Sequence, residues 1–123
     1  LRTRRQRQMC IRDRYNYDSY SVFFGDTLVG YVISKISYPE THILNLTVSS
    51  QFRNNGIGGS LIQLIINDAR IRNSQDIILE VRSSNKIAQS LYKKLLFKQI
   101  GVRKDYYDCH EGREDAYVLK LEL

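Results

Sequence analysis

The 123-residue sequence predicts a mixed α/β fold, one sheet assembled in the order βββ-α-β-α-ββ. Three observations carry that prediction. Runs rich in aromatic and β-branched residues alternate with turn signals in the first half of the chain. A glycine-rich stretch, 51-QFRNNGIGGSL-61, opens directly into an apolar repeat of helical period. A short apolar run, 76-DIILEVR-82, follows that helix, so strand, helix and strand form a crossover that makes its two strands parallel neighbours.

The first strand is expected over 19–24 (SYSVFF), and the Gly-Asp-Thr at 25–27 is a hairpin turn signal. The return strand spans 28–37. Pro39 punctuates the next turn, and 42–49 (HILNLTVS) is a third strand of the same meander. Ile57, Leu61, Leu64 and Ile65 then recur at one-face helical spacing. This helix is expected to end near Arg72, with Arg70 and Arg72 favourable at its C-terminus. The buried strand at 76–82 leads into a second helix over 83–95, with Ser84 or Asn85 as its cap and Ile87, Leu91 and Leu95 as its apolar stripe. Two strands close the chain, 97–107 and 115–123. In the latter, Tyr117, Leu119, Leu121 and Leu123 alternate as one buried face.

The formal net charge is +6, but it is unevenly placed. Residues 1–14 carry six arginines against Asp13, a net of +5, which leaves the other 109 residues at +1. A nucleic-acid footprint is a basic patch on the folded body, so nucleic acid is not an expected partner. The first 14 residues show no helical or strand period. They are read either as a non-native segment resembling translated adaptor sequence or as a basic arm, and no function is assigned to them. No apolar run reaches the ~20 residues that span a bilayer, so no membrane partner is expected. Two cysteines, Cys10 and Cys109, make no disulfide framework, and a cytoplasmic location is the expectation. Cys109 and His110 have no second pair at metal-ligand spacing, so no metal is expected. The Asn-Leu-Thr at 45–47 matches a glycosylation sequon, but it falls in a strand expected to be buried and is read as chance.

The glycine stretch sits where chemistry is expected. At a strand-to-helix junction the helix N-terminus offers unpaired N–H groups and a partial positive charge. Glycines let the backbone approach an anion closely. No Lys-Ser/Thr follows, which excludes a Walker loop, and Leu61 stands where the third glycine of G-x-G-x-x-G belongs. By itself the stretch fits a plain loop as well as a phosphate cradle.

Its surroundings decide between them. Arg53, Gly56 and Gly58 meet the R/Q-x-x-G-x-G/A signature of the GNAT acetyltransferases, which the segment 43–116 resembles. The runs 79-LEVRSSNKIAQSLYKKLLF-97, 103-RKDYY-107 and 112-GREDA-116 are similar, in register, to those of RimI-type protein N-terminal acetyltransferases. The resemblance implies acetyl-CoA as co-substrate and a protein N-terminal α-amine, that of a ribosomal protein, as acceptor. By position it implies that Leu46, Thr47 and Val48 present backbone to the pantetheine arm as an added strand would. Arg53, Asn54, Asn55, Gly56, Ile57, Gly58 and Gly59 would hold the pyrophosphate. Asn85 would hydrogen-bond the pantetheine arm, or else simply cap its helix. Tyr106 and Tyr107 would border the acceptor groove.

Glu80 is the implied general base, and its residues alone already mark it as a lone carboxylate between Leu79 and Val81 in an apolar strand. The alternative is a structural ion pair with Arg82 or Arg103. An α-amine titrates near ~8 and an ordinary carboxylate near ~4.3, so direct abstraction from ammonium is uphill by roughly 5 kcal/mol. Transfer through an ordered water to solvent is the preferred route. Tyr92 is the implied general acid for the departing thiol, with a core tyrosine as the alternative. RimI-type enzymes carry a further strand and two helices ahead of the region seen here. The resemblance therefore implies a domain over 15–123 that is incomplete at its N-terminus, and a coenzyme-binding but catalytically silent module is the competing reading.

Overall fold

The computed structural model describes residues 2–10, 15–109 and 112–123; the side chains of residues 5–10, 15 and 16 are outside the description. Its strands are β1 (Arg2–Cys10), β2 (Tyr15–Phe24), β3 (Thr27–Ser37), β4 (Glu40–Val48), β5 (Asp76–Arg82), β6 (Lys98–Cys109) and β7 (Gly112–Glu122). Its helices are α1 (Ile57–Ile71) and α2 (Lys86–Lys94). The seven strands form one mixed sheet in the order β1-β2-β3-β4-β5-β7-β6. The pairing of β4 with β5 is parallel and every other pairing is antiparallel. The predicted crossover is thus the centre of the sheet.

One strand was not expected. Arg2–Cys10 runs antiparallel to β2 at the edge of the sheet, so this stretch is not a tail without strand structure. An edge strand needs only main-chain pairing on one side, and charged residues suit it. The described side chains of Arg2, Thr3 and Arg4 are all exposed, so these three show no alternation to be read. Arg2 and Arg4, two residues apart on one face, both lie over the Phe23 ring, at 5.7 and 5.0 Å.

The hairpin between β2 and β3 turns on Gly25 and Asp26, with Gly25 at φ 62. Main chain in that region is open to glycine without steric penalty. Helix α1 forms because Ile57, Leu61, Ile62, Ile65, Ile66 and Ala69 fall on one face and are all buried. Each large aliphatic so removed from water contributes roughly 1.5–3 kcal/mol. That face packs on β3, β4 and β5 with Val32, Ile43, Ile77, Leu79 and Val81. The helix ends at Ile71, and Arg72 has a different role from dipole compensation. Its Nη1 donates to Asp18 Oδ2 at 2.8 Å, pairing a fully buried carboxylate on β2.

Helix α2 is shorter than predicted and is capped by Asn85, whose side chain accepts the Ala88 N–H at 3.1 Å. Its buried residue is Tyr92. Leu91 and Leu95 are half-buried, while Ile87 is 76% exposed, so the expected stripe does not include Ile87. On β7, Leu119 and Leu121 are buried and Tyr117 and Leu123 half-buried, which agrees with the alternation. The sequon is not buried: Asn45 and Thr47 are exposed, and the Thr47 hydroxyl donates to Asn45 Oδ1 at 3.0 Å. His110 and Glu111 lie outside the described residues.

Candidate active site

The site begins as a defect in the sheet. β4 and β5 pair only from Glu40–Asp76 to Ile43–Leu79. Beyond that point β4 stays with β3, through Asn45–Ile33 to Val48–Gly30. β5 stays with β7, through Glu80–Val118 to Arg82–Ala116. The two strands therefore fork, and residues 45–48 face the gap without a strand on that side. A bulge starts the fork: Ile33 pairs Asn45 and Ser34 pairs Ile43, which leaves Leu44 as the extra residue. Bulges bend the strand that carries them. This one also resets the phase. Thr41 and Ile43 are buried before it, and Leu46 and Val48 are the half-buried residues after it.

Both helix N-termini lie at the open end of the fork, where the carboxyl ends of parallel strands commonly bind ligands. Gly56 precedes α1 with φ 75, and no side chain caps the helix. A Cβ at Gly56 would meet nothing within 4 Å, so the demand there is conformational. At Gly58 the demand is spatial. A Cβ would come within 3.3 Å of Leu91 Cδ2, 3.8 Å of Val48 Cγ2 and 3.9 Å of Leu46 Cδ2. Gly58 thus lets α1 approach α2 and the end of β4 together. Asn54 also has positive φ, 67, Asn55 Nδ2 donates to the Phe52 carbonyl at 3.3 Å, and Arg53 Nε donates to the Val48 carbonyl at 3.4 Å. These bonds hold the loop and leave the first-turn N–H groups of α1 with no side-chain acceptor. An anionic group fits that place, and an extended arm fits the free edge of residues 46–48.

Glu80 sits on β5 just past the last paired residue, on the face opposite Leu79 and Val81. It is not buried: its side chain is 25% exposed. Of the two partners considered for it, Arg103 is the one it meets, Nε to Oε1 at 3.2 Å. Arg82 is engaged elsewhere, on Glu114 Oε1 at 2.9 Å and over the Tyr107 ring at 4.4 Å. Glu80, Tyr106 and Tyr107 line one cavity of about 200 Å³ with His42, Ile43, Leu44, Ile78 and Leu79. Sequence reasoning missed His42 and Leu44. His42 pairs with Glu40 at 2.9 Å, a polar pair two residues apart on a strand, while Leu44 is marked only by the bulge. The Tyr106 hydroxyl faces the Glu80 carboxylate, whose hydrogen bonding and charge hold that phenol above its ordinary range. Tyr107 is raised first by burial and then by the Glu80 charge.

Tyr92 does not line this cavity. It is buried on α2 with its ring 5.7 Å from that of Phe97. Burial, and then the neighbouring Tyr107, push its phenol up to about 12. Tyr107 thus both lines the Glu80 cavity and acts electrostatically on Tyr92. A larger cavity of about 360 Å³, between α2 and the β6–β7 hairpin, is lined by none of the predicted site residues. Among the described residues there is no cluster of three or more metal-ligating side chains, and no helix is long and apolar enough to cross a membrane.

The forked sheet with a glycine-rich helix start has clear relatives. Residues 2–97 match the family described as Acetyltransferase (GNAT) family. The ribosomal protein bS18-alanine N-acetyltransferase of Haemophilus ducreyi is 36% identical over 99 residues, which cover 80% of this chain and 68% of that protein. The crystal structure of the ribosomal-protein-S18-alanine N-acetyltransferase from Escherichia coli matches with TM-score 0.80 at 28% identity, over 86% of this chain and 68% of that one. A GNAT family acetyltransferase from Elizabethkingia anophelis, crystallised with acetyl-CoA bound, shares the fold with TM-score 0.78 at 24% identity, over 87% of this chain and 76% of that one. The chain thus spans about two thirds to three quarters of the length of these proteins. It belongs to the GNAT acetyltransferase family, and within that family it is similar to the ribosomal-protein-alanine N-acetyltransferases.

Proposed function

We propose that this protein transfers the acetyl group of acetyl-CoA to the N-terminal α-amine of a protein, a ribosomal protein in the cytoplasm. The observation that carries this reading is the fork, with Glu80 at its apex and the uncapped start of α1 at its mouth. The N–H groups of residues 56–59, with Arg53, Asn54 and Asn55 around them, receive the pyrophosphate. The main chain of Leu46, Thr47 and Val48 pairs with the pantetheine amides. When bound, the coenzyme supplies a thioester whose carbonyl carbon takes the amine as the C–S bond breaks.

The chain's own residues manage two protons. Glu80 receives the ammonium proton through an ordered water and passes it to solvent; the cavity at Glu80 leaves room for that water. Tyr92 donates to the departing sulfur and is reprotonated from solvent. A phenol held up to about 12 is protonated at neutral pH, as an acid must be. It is also a weak one, so its transfer accompanies C–S cleavage, when the sulfur is most basic. Tyr106 and Tyr107 flank the acceptor's first residues.

The test is incubation with acetyl-CoA and a set of N-terminal peptides, following free thiol. Release that depends on both peptide and Glu80 supports the reading. No release, from the parent and from Glu80→Gln alike, would sink it. The Arg103–Glu80 pair favours a second reading, a coenzyme-binding module without turnover, because it gives Glu80 a structural partner. Calorimetric binding of coenzyme A with no thiol release would select that one.

A further inference from the structure

Strand β6 changes register against β7 beside the Glu80 cavity. Arg103 pairs Ala116 and Tyr107 pairs Glu114, so Lys104, Asp105 and Tyr106 stand opposite Asp115 alone. In a regular strand two consecutive tyrosines point to opposite faces. Here both line the same cavity, their rings edge to face at 5.0 Å. The bulge requires left-handed backbone at Asp105, φ 51, a conformation that side-chain-bearing residues rarely adopt. Asp115 braces it. Its Oδ1 accepts the Asp105 main-chain N–H at 3.0 Å, and its Oδ2 lies 3.6 Å from Lys104 Nζ. The Asp115 carbonyl in turn accepts the Ser83 N–H at 3.0 Å, tying this point of β7 to the turn between β5 and α2.

We propose that Asp115 is a positioning residue for the acceptor: its side-chain oxygen holds the β6 bulge that turns Tyr106 and Tyr107 into one wall of the Glu80 cavity. The wall needs an acceptor for the Asp105 N–H. It does not need a negative charge, because Lys104 is 82% exposed and its ion pair contributes little. Asn retains the acceptor oxygen and Ala does not. The acceptor's identity as a peptide rests on the function proposed above, whereas the tyrosine geometry does not.

The experiment compares Asp115→Ala, Asp115→Asn and Lys104→Ala in the full chain by two readouts. The first is kinetics with an acceptor peptide. Asp115→Ala should lose roughly tenfold or more in kcat/KM, mainly through KM, since small displacements of positioning groups are costly. Coenzyme A affinity should stay within about twofold, and the other two variants within about threefold of the parent. The second readout is NMR of ring-labelled tyrosine, which needs no turnover. The ring-current shifts of the Tyr106–Tyr107 pair should vanish in Asp115→Ala and persist in Asp115→Asn. Unchanged tyrosine shifts in Asp115→Ala would overturn the proposal, as would Asn behaving like Ala. If the parent acetylates no peptide, the proposed function fails while the NMR comparison still decides the role of Asp115.

Discussion

Around residues 54–59 the candidate site consists of main-chain groups, whereas around Glu80 it consists of side chains that hold one another. The first region works through what is missing: no Cβ at Gly56 or Gly58, no capping side chain on α1, no pairing of residues 45–48 with β5. The second works through mutual support, with Arg103 on Glu80, Arg103 over Tyr106 at 5.5 Å, Tyr106 against Tyr107, and Arg82 over Tyr107. A main-chain site suits a ligand that never changes, such as a coenzyme. A side-chain site can be retuned for each acceptor. The two should therefore fail in different ways when altered.

The largest failure is expected from Gly58→Val. The added methyl groups have nowhere to go, because a Cβ alone already lies 3.3 Å from Leu91 and under 4 Å from Leu46 and Val48. Coenzyme A binding should fall by more than about 100-fold, and overpacking should cost about 1–3 kcal/mol of stability. The helical circular dichroism signal should be nearly kept, since α1 as a whole is anchored by six buried residues on one face. A dissociation constant within threefold of the parent would show that the α1 start holds no coenzyme.

Glu80→Gln should sharpen the contrast from the other side. Turnover should fall by about 10²-fold or more if the carboxylate takes the proton, with coenzyme A affinity unchanged in calorimetry. Equal loss of binding and turnover would mean that the Arg103–Glu80 pair is mainly structural.

Tyr92→Phe is expected to lower kcat by roughly tenfold with little effect on coenzyme affinity; parallel losses would assign it to packing alone. It also carries a stability signature. The folded protein raises this phenol from 10.0 to about 12. The neutral form is therefore favoured by folding, and that contribution is complete below pH 10 and lost as pH rises from 10 to 12. That rise corresponds to about 3 kcal/mol. Base-induced unfolding across that window should be shallower in Tyr92→Phe. The same shift means that no alkaline limb of the rate profile below pH 10 should belong to Tyr92.

The division between the two regions also explains what the sequence made legible. Glycines, an N-cap and a helical period are local signals, so α1, β5 and Asn85 as cap could be named from residues and motif. Glu80 was conspicuous as a carboxylate in an apolar run, and Arg103 was one of two partners considered. What escaped depended on pairing. The described side chains of β1, Arg2, Thr3 and Arg4, are all exposed and show no alternation to betray it. The Leu44 bulge that forks the sheet, and the Asp105 bulge that brings two adjacent tyrosines to one side, exist only relative to the neighbouring strand. The expected burial of Ile87 and of the sequon failed for a related reason. Both assumed a covered face, and periodicity alone does not say which elements cover it.

The smallest expected effect tests where the two regions meet. Asn85 caps α2 through its Oδ1, which accepts from Ala88 N at 3.1 Å. That satisfies the bland reading of Asn85 and leaves its amide donor to be assigned. Serine is about as good as asparagine at this position of a helix, whereas alanine costs roughly 1 kcal/mol. Asn85→Ser therefore keeps the cap while removing the amide donor. If that donor also reaches the pantetheine arm, coenzyme A affinity should fall by about three- to fivefold, the scale of one neutral hydrogen bond, with the melting temperature nearly unchanged. Unchanged affinity together with an unchanged melting temperature would confine Asn85 to its cap.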